Sequence, residues 1–332
     1  MALKPAYRLT IGGKVVDTTD EPRASTVVDL TVRLDLDTPA DSFTLALAEV
    51  NGLQPKRDDD AKIELGYADN GGLTQVMAGT ILAVEPGLTI TRIVGQSAAT
   101  ALLRMFVDQT YESKTAGQIV RDLADQAGVD VTTAEDGITF PAYVVHSRRA
   151  VFHHMADLAE LCGFDLYLAS DDKLLFEKFT AGKVIHVFDY AKQIVQLEVQ
   201  QVPARVGRVE AWGESPGGGR GEEAWAWLTK DFSGSKGTAG QGEPLLRLER
   251  PALRTADASR TAATAALSAI TRKSLRGRLE TPGRPQVKLG DAIRLRDVPE
   301  ADLNTTFQVR NVTHRITKTG GFTTTISFRS LA

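Results

Sequence analysis

The sequence has one cysteine, Cys162, so no internal disulfide can form, and the chain suits synthesis in a reducing cytosol. Proline, at 13 of 332 residues, is not enriched, and glycine, at 29, is only mildly so. That excludes collagen-like and fully disordered chains. No run of 18 apolar residues occurs, so no membrane-spanning helix is expected. Met1 to Lys14 lacks the basic-then-apolar order of a secretory signal, and none is expected. There is no C-x-x-C pair and no pair of histidines at the spacing of a zinc-binding helix. What is present, 42% hydrophobic and 24% charged residues, is ordinary for a protein that buries cores, and the length predicts two or three domains.

No charge of one sign dominates, with 39 basic against 42 acidic residues. The near balance hides a split: net −4 over residues 1–105, −7 over 106–182 and +8 over 183–332. Such an asymmetry predicts oppositely charged faces that could orient one subunit against another.

Residues 1–105 read as strands. Val28, Leu30, Val32, Leu34 and Leu36 alternate with Asp29, Thr31, Arg33 and Asp35, giving one apolar and one polar face. Phe43, Leu45 and Leu47 repeat the pattern, as do Ile63, Leu65 and Tyr67, with turns at Asn51-Gly52 and Asp69–Gly72. Residues 106–182 read as α+β: a helix capped by Ser113 and ended by Gly128, a second from Ser147 to Gly163, then strands 165–169 and 173–178. Residues 183–332 return to strands at 194–199, 206–212, 292–296, 307–316 and 322–328. They also hold a Gly-rich loop, 213–244, and an Ala-rich helix, 256–274. The predicted architecture is mainly β with α+β: an antiparallel barrel or sandwich over 1–105, a small α+β domain over 106–182, and strands with one helix over 183–332.

No catalytic, cofactor-binding or metal-binding residue is predicted. His153 and Asp157 share a helix face but lack a third ligand. His154 and Cys162 fall on apolar faces and read as packing. Gly95-Gln96-Ser97-Ala98-Ala99 imitates a nucleophile elbow but sits among strands rather than βαβ units, so Ser97 reads as a helix cap. Gly234-Ser235-Lys236-Gly237-Thr238 lacks the order of a phosphate loop and reads as linker. Asp58-Asp59-Asp60 reads as a solvated turn. Arginines and lysines cluster at 272, 273, 276, 278, 284, 288, 294 and 296 without aromatic residues for base stacking. Protein–protein contact or the lining of a channel is at least as good a reading there as nucleic-acid binding.

A resemblance carries the reading further. Pro5–Thr10 with Gly13-Lys14, and then Lys62–Tyr67, resemble the opening of the late control protein D family of phage tail proteins, the baseplate hubs of contractile tails. These are similar to the hub portion of type VI secretion VgrG spike proteins. Gln109–Val120 resembles that family's first helix region, and Ser147–Gly163 its second, with His154 where an aromatic is common. The order Thr281–Pro285, Val287–Asp291, Phe307–Val309, Val312–His314 and Gly321–Thr324 resembles its C-terminal end.

The resemblance implies a non-enzymatic structural protein of the virion or of an injection-particle baseplate, made in the bacterial cytoplasm. It implies a homotrimer whose two tube-like antiparallel β-barrel domains per subunit, 1–105 and 183–332, flank the α+β domain 106–182 and close a pseudo-sixfold ring between a hexameric tail tube and a trimeric central spike. The spike would be a separate polypeptide, baseplate wedge and tape-measure proteins would be further partners, and no cofactor, membrane or sequence-specific nucleic acid would be needed. Val28–Leu36 and Phe307–Ile316 are the expected wall strands. Two rivals follow from the residues: a tail-associated cell-wall hydrolase using His153, Asp157 and Ser97, and a DNA-binding module using Arg272–Arg296.

Overall fold

The computed structural model describes residues 3–20, 26–48, 53, 55–69, 71–181, 184–203, 205–213 and 235–331. The alternating segments form strands where their periodicity places them. The first unit contains β1 (Pro5–Ile11), β2 (Lys14–Asp17), β3 (Val27–Asp35), β4 (Ser42–Leu47), β5 (Asp60–Tyr67), β6 (Gly72–Pro86) and β7 (Thr91–Gln96). The short helix α1 (Ala99–Arg104) leads into the middle unit. That unit holds β8 (Gln109–Thr115), α2 (Ala116–Gln126), β9 (Val131–Ala134), β10 (Thr139–Val145), α3 (Val151–Cys162), β11 (Asp165–Leu168) and β12 (Leu174–Glu177). The last part holds β13 (Ile185–Asp189), β14 (Gln196–Gln201), β15 (Arg208–Trp212), β16 (Gly237–Gly240), β17 (Leu245–Glu249), α4 (Ala256–Arg272), β18 (Leu275–Pro282), β19 (Ala292–Arg296), β20 (Thr306–Thr317) and β21 (Gly321–Ser330).

Two separate barrels are not what these strands make. Thirteen of them form one sheet, along the open path β14-β18-β21-β20-β3-β4-β7-β6-β5-β1-β2, with β19 on β20 and β13 on β19, and the other eight form three small sheets. The seam is β20 against β3, antiparallel from Asn311↔Asp35 to Thr317↔Asp29. The physical reason is shared burial. Leu30, Val32 and Leu34 from β3 enter the same apolar core as Val312 and Ile316 from β20 and Phe322, Ile326 and Phe328 from β21. The sheet curls around that core far enough for the Tyr67 ring, from β5, to lie 5.6 Å from Phe322.

A second core belongs to the middle unit, where α2 and α3 bury Ile119, Val120, Leu123, Met155 and Leu158. Val209, Ala211, Leu253, Ala258, Ala262 and Ala263, from β15 to α4, join this core rather than that of the large sheet. The approach is close: a Cβ on Gly237 would stand 2.1 Å from the Arg260 backbone nitrogen, so β16 packs on α4 with no room for a side chain. Of the Gly-rich loop, residues 214–234 lie outside the described residues, and Gly237–Gly240 pairs with β15.

The α2 cap differs from the expected Ser113. Ser113 lies in β8 at φ 52°, whereas Thr115 accepts from the Gln118 N–H at 3.2 Å and the Gln118 side chain accepts from the Thr115 N–H at 3.1 Å. That reciprocal capping box satisfies two donors, and one lone serine would satisfy one. Likewise α3 starts at Val151 rather than Ser147, whose N–H donates to Asp108 Oδ1. Gly163 ends α3 at φ 71°, a left-handed cap.

Gly95, the first residue of the elbow-like motif, explains itself by packing. The Phe43 ring covers it, and a Cβ there would fall 2.1 Å from Phe43 Cε1 and 2.9 Å from the Thr80 carbonyl. Gly95→Ala should therefore lower stability by about 1–3 kcal/mol through overpacking. Urea denaturation measures this, and an unchanged midpoint would show that Phe43 can swing aside.

Candidate functional site

The face of the large sheet opposite its core is polar and concave. A groove of about 800 Å³ runs over seven strands of both strand units. Asp29, Thr31 and Arg33 come from β3, Thr44 from β4, Glu85 from β6 and Arg92 from β7. Arg278 and Glu280 come from β18, Thr313 and Arg315 from β20, and Thr323 and Thr325 from β21. Strand alternation builds this surface, because each of these residues is one step out of phase with a core residue. The ladder pairs Glu280 with Thr325, Thr325 with Thr313, and Thr313 with Arg33, so one polar row crosses the seam. Arg315 meets Asp29 across the same seam at 2.5 Å. The two units that differ in net charge thus exchange an ion pair within one chain.

Deeper in the molecule lies a charged junction. Arg310 donates through Nη1 to Asp165 Oδ1 at 2.7 Å and through Nη2 to Asp37 Oδ1. Gln308 donates to the other Asp165 oxygen and accepts from Arg329 Nε at 3.1 Å. Arg310, Arg329 and Asp165 side chains are all at least 87% buried. Burial opposes the Arg310 charge, but its hydrogen bonds to Asp37 and Asp165 carry the guanidinium above its ordinary range. Arg329 is less well matched: burial, then repulsion from Arg310, lowers it to about 10. A register shift in β20 between Val309 and Asn311 places Arg310 there. The sequence carries its trace, since the core-facing residues change from Phe307 and Val309 to Val312, His314 and Ile316.

The junction joins β20 and β21 to β11 of the middle unit. Its β11–β12 hairpin is held from both sides. Gln75 of β6 donates to the Ser170 carbonyl at 2.7 Å, and Lys288 Nζ stands 3.0 Å from Ser170 Oγ.

The structure does not bring His153, Asp157 and Ser97 together. Asp157 is bound by Arg149 at 2.6 Å, and His153 stands exposed on α3 with its ring edge toward Phe152. Ser97 is buried, its Oγ has no hydrogen-bond partner among the described residues, and it does not cap α1. The cap is supplied instead by Asp172, whose Oδ1 accepts from the Ala98 N–H at 2.8 Å. His154 is buried with its ring 4.7 Å from that of His146, and burial lowers its pKa. Cys162 is buried, and desolvation pushes its thiol up to about 11. Lys236 pairs with Glu210 at 2.9 Å. The three-aspartate turn is a local loop in which Asp59 accepts from the Lys56 N–H. No cluster of three His, Cys, Asp or Glu side chains fit for a metal occurs among the described residues, and none of their helices is long and apolar enough to cross a membrane.

The residues that sequence reading missed are Gln308, Arg310, Arg329 and Asp165. The β20 phase change was the one local signal for them.

No known protein-family profile matches the chain, and no curated protein sequence matches it. Solved structures do. The 43 kDa tail protein of prophage MuSo2 from Shewanella oneidensis superposes with a TM-score of 0.73 at 14% identity, covering 98% of both chains. A tail protein from Neisseria meningitidis MC58 gives 0.72 at 14% identity, over 98% of this chain and 96% of that one. The Escherichia coli c3393 protein is described as a type VI secretion component similar to the T4 tail proteins gp27 and gp5. It gives 0.57 at 11% identity, over 98% of this chain and 77% of that one. The chain has the fold of these phage tail and secretion-system proteins.

Proposed function

We propose that this protein is a baseplate hub, a non-enzymatic ring-forming part of a contractile tail or related injection particle. Three copies, each with two strand units, would make a ring that is sixfold toward a hexameric tail tube and threefold toward a separate trimeric spike. Baseplate wedge and tape-measure proteins would contact its outside and its bore. The units correspond to residues 1–105 and 183–332 around a middle unit, 106–182. The observation that carries this reading is the seam between β3 and β20, the two strands expected as tube wall, which gives both units one uninterrupted polar face. A face of threonines and mixed charges, with only Ala46 and Val94 half-buried among them, suits the bore of such a ring.

The open strand path supports closure between copies. Its ends, β14 and β2, and the side strand β13 each pair on one edge only among the described residues. On β13, Ile185 and Val187 are exposed at alternate positions. Unpaired edges of this kind invite pairing, and a closed ring removes them.

Native mass spectrometry of the purified chain should give a trimer. Electron cryo-microscopy of the particle should place three copies on the tail axis with Thr31 and Thr313 facing the bore. A chain that stays monomeric and lies off the axis would overturn the proposal.

A further inference from the structure

Where β14, β18 and β21 run side by side, the polar face becomes basic. A groove of about 740 Å³ is lined by five cations, Lys273, Arg276, Arg278, Arg310 and Arg329, against two carboxylates, Asp37 and Glu198. Arg310 is held by Asp37 and by Asp165 behind the groove, so its charge is spent within the protein and the free cations, among the described residues, are those of Lys273, Arg276 and Arg278. Arg276 directs Nε and Nη2, at 2.9 and 2.7 Å, to Gln200 Oε1, a neutral amide that leaves its charge uncompensated. Arg278, across the ladder from Glu198, and Lys273, whose charge helps to lower Asp37, are exposed, and neither makes an ion pair within 4 Å among the described residues. Arg329 reaches only to 3.8 Å from an Asp165 oxygen that Arg310 already holds.

Guanidinium groups present paired donors that match phosphate and carboxylate oxygens alike, so the arrangement of the charges has to distinguish the ligand. Arg276 and Arg278 project from alternate positions of one strand, about 7 Å apart, and so offer a repeated charge rather than a single pocket. The groove continues through Arg278 into the threonine-lined part of the face, where Thr313, Thr323 and Thr325 supply further hydroxyl donors. The one aromatic in its lining, Phe328, is buried in the core and cannot stack on a base.

We infer that this groove holds the phosphodiester backbone of duplex DNA, without reading its bases. The groove lies within one copy, so this inference and the trimeric ring stand or fall separately.

The test is fluorescence anisotropy of the full chain with a labelled duplex of arbitrary sequence, from 50 to 200 mM salt. The logarithm of affinity should fall linearly with that of salt. In the triple variant Lys273→Gln/Arg276→Gln/Arg278→Gln the slope should shrink by about 2.7, near 0.9 for each phosphate no longer neutralised, with binding on the order of tenfold weaker at low salt. Arg57→Gln, a charge change in the turn before β5, should leave the slope unchanged. Arg276→Lys/Arg278→Lys should keep most of it, which separates charge from fold. Absence of binding, or a triple variant with the wild-type slope, would overturn the inference. So would displacement of the duplex by polyglutamate at equal charge concentration, which would assign the groove to an acidic protein segment.

Discussion

Replacing Arg310 with methionine should cost about 3–5 kcal/mol, more than any surface charge in the molecule. Two carboxylates lose a partner, but they are not equivalent. Asp37 has 63% of its side chain in water and can be rehydrated, so its share is small. Asp165 is 10% exposed and among the described residues keeps only Gln308 and an Arg329 nitrogen at 3.8 Å. The stranded Asp165 charge is what sets the cost, since an unpaired buried carboxylate is far dearer than a missing ion pair in water. Adding Asp165→Asn to Arg310→Met should therefore recover at least half the loss in urea denaturation, although it removes a second polar partner. The junction also fastens the β11–β12 hairpin to the sheet. Amide exchange across Asp165–Glu177 should accelerate in the single variant before global unfolding. A loss below about 1 kcal/mol would mean that Arg329 alone neutralises Asp165.

The polar face was legible in the same residues that revealed the strands. Asp29, Thr31 and Arg33 alternate with Leu30, Val32 and Leu34, and Thr323 and Thr325 alternate with Phe322, Thr324 and Ile326, so a solvated side was expected wherever a core side was found. What the alternation does not encode is which strand stands beside which. β3 and β20 are some 280 positions apart, and nothing local in Val27–Asp35 marks Thr306–Thr317 as its neighbour. Two barrels were therefore expected where one continuous sheet forms. The helix of residues 256–272 was legible in its alanines, but not that it would pack on α3 in the core of the middle unit. Two features were local and still missed. Thr115 and Gln118 hold the spacing of a capping box, and the phase change in Phe307–Ile316 marks a bulge. The DNA groove draws on Lys273, Arg276 and Arg278 of the basic stretch noted in the sequence, whereas Arg284, Arg294 and Arg296 line other surfaces, Arg296 being paired with Asp189.

Asp41→Asn should raise stability at pH 8 and leave it nearly unchanged at pH 4. The Asp41 carboxyl lies at the junction of the first and middle units, where Oδ1 accepts from the Asp35 N–H at 2.8 Å and no cation among the described residues pairs with it. Burial, the largest influence, pushes it from 3.8 up to about 7, with the Asp35 and Asp172 charges adding to the rise. Between those values the folded protein holds a proton that the unfolded chain has released. The stability linked to this group is therefore complete below about pH 3.8 and is lost as pH rises through 7. Three units correspond to an upper bound on the order of 4 kcal/mol. His314 works in the opposite sense. Fully buried, with Nδ1 2.9 Å from Thr324 Oγ1, its ring is lowered by desolvation from 6.5 to about 3. Its contribution is present above pH 6.5 and lost as pH falls toward 3. From pH 4 to 6.5 His314 opposes Asp41, while Asp172, raised by burial to about 6, adds to it, so the Asp41 contribution is read from the difference between variant and wild type. The asparagine keeps the acceptor for Asp35 but has no proton to lose. The gain of the variant over the wild type should be near zero at pH 4, grow through pH 6 and level off above 7. Urea denaturation at pH 4, 6 and 8 measures both curves. If the variant and wild-type profiles run parallel across that range, Asp41 is ionised in the folded protein throughout, and the junction admits enough water to solvate it.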